Sequence, residues 1–142
     1  MDPFELDLGA LSGAPARLRQ FAAALPDALD ASLHRWGQQT RAGLKSTPYP
    51  RRRRGQRTVR TGQLANRWRI ERAGRGVIAI VNRAAGRSGF YAGYVIGPPE
   101  QQAYMHEGRW WQADQEVIDV HLARLFAQLD DDIDRAWTRQ GL

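Results

Sequence analysis

The sequence predicts an α+β fold: a small antiparallel sheet, a hairpin plus one or two further strands, packed against an N-terminal and a C-terminal helix. Three observations carry this. Apolar residues recur at three- and four-residue spacing at both ends of the chain, which is the repeat of a helix with one buried face. Between them the period switches to two, around a glycine-rich turn, as in paired strands. The 142 residues suit one domain, taken as 1–142 with an N-terminal arm at about 1–13 and a flexible Pro/Arg-rich arm or loop at about 46–60.

The first helical stripe is Leu18, Phe21, Ala22, Leu25, Leu29, Leu33, Trp36, Thr40 and Leu44. Pro15 suits its first turn, and Pro26 is expected to break it into a short helix near 14–24 and a longer one near 26–45, because an internal proline removes a donor and clashes with the preceding turn. From Leu64 the alternation puts Leu64, Trp68 and Ile70 on one face of a strand and Arg67, Arg69 and Glu71 on the other. Ala73-Gly74-Arg75-Gly76 reads as the turn, and Val77-Ile78-Ala79-Ile80-Val81 as a return strand apolar on both faces. Such a strand requires cover on both sides, from helices or from a neighbouring subunit. Residues 84–89 read as a loop, Gly97-Pro98-Pro99 as a stop, and 104–111 as a third strand. Val117, Ile118, His121, Leu122, Leu125, Phe126, Leu129, Ile133 and Trp137 mark the last helix, with Asp114 as its N-cap.

Charge is distributed unevenly. The chain carries +6 overall. Residues 1–40 hold three arginines against five acids, 41–87 hold fourteen basic residues against Glu71, and 88–142 hold four arginines against nine acids. The middle is therefore a polycation at +13 between ends at −2 and −5. Its densest part, Arg51, Arg52, Arg53, Arg54, Arg57 and Arg60, is suited to neutralising phosphates in a salt-dependent way, or to meeting acidic protein. Composition gives the two partners equal standing.

Catalytic signatures are sparse. With no cysteine, disulfides and thiolate zinc sites are excluded. His34 and His121 lack ligand-spaced companions and read as surface or half-buried imidazoles. Asp130, Asp132 and Asp134 start like a calcium loop, but Arg135 stands where the turn glycine belongs, so a solvated helix face is expected. No phosphate-cradling glycine loop is present. A hydrolase or nuclease centred on His106, Glu107 and Arg109 lacks a nucleophile or second acid. No enzyme, metal or cofactor is expected. The longest apolar runs, 21–25 and 77–81, fall far short of a membrane span, and the acidic start does not resemble a secretory signal.

One segment resembles a known family. Thr58-Val59-Arg60-Thr61-Gly62-Gln63-Leu64-Ala65-Asn66-Arg67-Trp68 is similar to the Arg-Thr-Gly-x-Leu lead-in to the first strand of tail-completion and head–tail joining proteins of long-tailed bacteriophages. The strand ending at Asn82, the segment Tyr91-Ala92-Gly93-Tyr94-Val95-Ile96-Gly97 and the segment Gln102 to Trp110 follow in the same order. The arm at 47–57 is longer than the plainest family pattern. The resemblance implies a structural virion protein, assembled in the bacterial host cytoplasm and forming an oligomeric ring, commonly of six, at the neck between head and tail. Its partners would be sister copies, the head connector and the tail tube or terminator, with packaged DNA as a further contact for the arginines. It implies no active site. Trp68, Tyr91, Tyr94, Trp110 and Trp111 become interface or core candidates, with ordinary packing preferred for Trp68. The reading that competes with this is a nucleic-acid-binding module using 51–60.

Overall fold

The computed structural model describes residues 15–48, 54–55, 62–107 and 112–140. Helix α1 (Ala16–Ser46) is followed by a helical turn α2 (Gln63–Asn66), then β1 (Trp68–Gly74) and β2 (Val77–Asn82). A small ladder of β3 (Ala85–Gly86) and β4 (Gly89–Phe90), a short α3 (Ala92–Ile96), α4 (Ala113–Glu116), a π-helical turn (Val117–Leu122) and α5 (Ala123–Arg139) complete it. The α+β architecture, with an antiparallel hairpin set against an N-terminal and a C-terminal helix, is the one the periodicities predict.

Helix α1 is unbroken. Pro26 lies inside it, where two helices were expected. Tertiary contact on the far side of Pro26 supplies the reason: Phe21 meets Trp137 edge-on, with ring centroids 5.1 Å apart and planes at 84°, so the first turns are held against the end of α5. Pro15 takes the N-cap position rather than the first turn, and its carbonyl accepts from Leu18 and Arg19.

The hairpin pairs Trp68 with Asn82, Ile70 with Ile80 and Arg72 with Ile78, with an irregularity between Arg72 and Gly74. Gly76, at φ +69°, supplies the left-handed turn residue that a side chain would strain. Leu64 is not on this strand. It is buried on α2, which starts after Gly62 at φ +72°. The further strands fall at 85–86 and 89–90, in the stretch expected to be a loop, and pair with each other rather than with the hairpin. Residues 104–107 form turns instead of starting a third strand, and 108–111 lie outside the described residues. The segment from Tyr91 folds as α3.

The C-terminal helix is one helical run from 113 to 139, since Val117 and Ala123 keep right-handed helical angles on either side of the π turn. Gln112, not Asp114, is its N-cap; Asp114 sits in the first turn.

Helix α1 lies between the two other layers. Its stripe Ser32, Trp36, Thr40 and Leu44, spaced by four, is buried. Gly37 faces the hairpin: a Cβ there would fall 2.5 Å from Ile78 Cδ1 and 3.6 Å from Ile70 Cδ1. Gly43 faces a different way, where a Cβ would come within 2.8 Å of the His121 ring. The absent side chains let α1 approach both neighbours closely. Ion pairs pin the layers at their rims: Arg72 to Asp30 at 2.7 Å, Arg75 to Asp27, and Arg35 to Asp132 at 2.6 Å. Leu44, Leu64, Trp68, Ala84, Ala92 and Ile96 form the core cluster at the end of α1.

Candidate interaction surface

Alternation along the hairpin separates its two faces. Trp68, Ile70, Ile78 and Ile80 point toward α1 and the core cluster, whereas Val77, Ala79 and Val81 point away. Among the described residues, α1 is the element that packs broadly on the hairpin, and it covers one face. The outward face is an apolar stripe bordered by Arg67, Arg69 and Arg83. Arg83 is paired with Glu71, and Arg69 donates to the backbone carbonyls of Asn66 and Trp68. Val77 at the tip is 43% exposed.

Among the described residues the two edges of the hairpin also differ. Arg83 N donates to Arg67 O at 3.0 Å, which sets the phase of the ladder. The pairs 69–81 and 71–79 therefore exchange hydrogen bonds, and the backbone groups of Trp68, Ile70, Ile78 and Ile80 point outward from the two strands. On the β1 side the Trp68 carbonyl is occupied by Arg41 Nε at 3.1 Å and by Arg69. On the β2 side the outward groups of Ile78 and Ile80 meet no partner among the described residues. A two-stranded sheet with a free edge is marginal by itself and can take on a further strand.

The C-terminal helix has the opposite charge. His121, Leu125, Gln128 and Asp132 face α1, with Gln128 Nε2 donating to the Ser32 carbonyl at 3.2 Å. Asp132 is tucked between Arg35 and Arg135, so this acid belongs to the helix interface and not to the solvated face expected of it. Phe126, Asp130 and Asp134, spaced by four, form the outward ridge; Phe126 is 60% exposed. Ile118 and Val120 extend the exposed apolar surface toward the start of the helix.

His121, expected as a surface or half-buried imidazole on the apolar stripe of the last helix, is buried. The π turn carries its ring against Gly43, leaving it 4% exposed, and Trp36 Nε1 donates to its carbonyl at 2.7 Å. Burial, reinforced by Arg124 and opposed by Glu116, lowers its pKa from the ordinary 6.5. Its Nε2 and the hydroxyl of fully buried Thr40 have no hydrogen-bond partner among the described residues. The apolar stripe placed His121 on the inward side of the helix, but no sequence spacing signals the π turn in which it is buried.

The candidate residues are dispersed. Trp68 is in the core at 5% exposure, Tyr91 is half-buried against the core cluster, and Tyr94 is exposed on α3. Arg54 is exposed in a turn with Gly55. Arg51, Arg52, Arg53, Arg57, Arg60, Trp110 and Trp111 lie outside the described residues, as does Arg109. An open apolar cleft of about 350 Å³, lined by Leu44, Trp68, Ile80, Ile96 and Val117 with Asn82 and Asp114, adjoins the core cluster. No helix among the described residues is long and apolar enough to cross a membrane, and no three described His, Asp or Glu side chains are grouped to hold a metal.

Fold and surface together define a class: a small α+β protein whose hairpin has one face and one edge uncovered among the described residues. The chain matches no protein-family model, no curated protein and no solved structure.

Proposed function

We propose that this chain is a structural virion protein of a tailed phage or prophage, which joins sister copies in an oligomeric ring at the head–tail joint. The observation that carries the reading is the hairpin: α1 packs on one face, while among the described residues an apolar face and the β2 edge remain open. A subunit of this kind gains its remaining burial on assembly, through the same apolar transfer that drives folding. The order of its motifs supplies the phage context, with six copies as the ring order, the head connector and the tail tube or terminator as neighbours, and the host cytoplasm as the place of assembly. The role is one of docking, with no reaction to catalyse.

Light scattering coupled to size exclusion, with negative-stain imaging, tests this. Closed rings, and the protein's presence in purified tails or virions, are expected; a monomer at micromolar concentration that is missing from particles overturns it. The second reading, a nucleic-acid module using the arginines of 51–60, is favoured by exposed Arg67 and Arg87, which have no ion-pair partner among the described residues. A steep fall in DNA or RNA affinity between low and moderate salt, shown by a monomeric protein, is its signature.

A further inference from the structure

We infer that copies of this chain join head to tail, the basic outer face of the hairpin of one copy seating on the acidic outer ridge of α5 of the next. This rests on the ring reading above and specifies its interface.

Gly37 meets the hairpin and Gly43 meets the C-terminal helix, and six helical positions turn these contacts to different sides of α1. Helix α1 is therefore the middle layer. The outer face of the hairpin and the outer ridge of α5 lie on different sides of the chain, turned by about 120° around the α1 axis.

The two faces complement each other. Val77, Ala79 and Val81 carry a border of Arg67 and Arg69. Phe126 carries Asp130 and Asp134 on its own ridge, and neither acid has an ion-pair partner among the described residues. Each face joins apolar surface to a net charge: the hairpin face stays basic because its one acid, Glu71, is paired with Arg83, leaving Arg67 and Arg69, while the α5 ridge is acidic. Like faces would repel, so a two-fold contact of hairpin with hairpin, or ridge with ridge, is disfavoured. A contact between unlike faces on different sides of a subunit propagates, and it closes into a ring when the rotation per subunit allows. Charge complementarity then sets partner choice and register, and the apolar stripe and Phe126 supply the burial.

Charge exchange tests the pairing. One variant carries Arg67→Glu and Arg69→Glu, a second carries Asp130→Arg and Asp134→Arg, and a third carries all four changes. The substitutions are on exposed residues, and circular dichroism with urea unfolding establishes that each variant folds. Sedimentation velocity reads the assembly state at matched concentration and low salt. The first two variants are expected to stay monomeric when alone, with association weakened at least tenfold. They should assemble when mixed, because each reversed face then meets its complement, and the fourfold variant should assemble by itself. If the first two variants form wild-type oligomers, or if neither mixing nor the fourfold exchange restores assembly, the pairing is overturned while the ring reading stands. A wild-type chain that remains monomeric overturns both.

Discussion

The two faces of one hairpin obey different rules. On the inner face Ile70 and Ile78 press into the space left by Gly37, and Trp68 and Ile80 join the core cluster with Leu44 and Ile96. On the outer face Val77, Ala79 and Val81 are equally apolar, yet no described element packs broadly on them. The strands are the same and the side chains similar, so residue type does not set the difference. What differs is whether another described element supplies the cover: α1 does so for the inner face, and none does so broadly for the outer one.

The largest effect should come from the inner face. Trp68→Ala removes a buried indole and is expected to cost roughly 3–5 kcal/mol, read as a lowered urea midpoint. A change within error would mean that the inner face does not hold the fold. Gly37→Ala sharpens the test: its new methyl meets the movable end of Ile78, so repacking is offset by a helix gain of about 0.5–1 kcal/mol and a net change of about 1 kcal/mol or less is expected; a larger loss would mean that the inner face cannot yield.

On another side of α1, His121 gives a pH signature. Its pKa is lowered on folding, so below the ordinary value of 6.5 the unfolded chain binds the proton more readily. Stability from this group is complete above about pH 6.5 and declines as pH falls through that value toward the folded pKa. Urea unfolding between pH 7.5 and 5.5 should show the decline, and H121Q should flatten it; an equal slope in the variant would exclude the imidazole as its source.

The outer face should respond least in the monomer. Val77→Glu is expected to shift unfolding by about 0.5 kcal/mol or less, while reducing assembly. A large loss of monomer stability would erase the distinction between the two faces.

Legibility followed the range of the interactions. The stripe from Leu18 to Leu44 could be read because residues three and four apart share a helix face whatever they meet. The continuity of α1 through Pro26 could not, because the Phe21–Trp137 contact that supports it spans the length of the chain. Leu64 fits the period of two, but Gly62 in the left-handed region starts a helical turn before β1. The burial of His121 depends on a π turn that shifts the helix phase after Glu116. At the surface, the apolar outer stripe was legible as a demand for cover. The complementary acidic ridge was not, since it emerges only when α1 is seen to separate the two layers.

By itself, then, the order of residues determined the α+β class, the two helices, the hairpin and the sign of charge carried by each part, all of which follow from local period and composition. Tertiary structure alone decided which apolar face is covered, that α1 runs on past Pro26, and that His121 is dry. The physical reason is that side-chain spacing encodes a face, whereas burial requires a partner, and partners distant in sequence are chosen by packing in three dimensions.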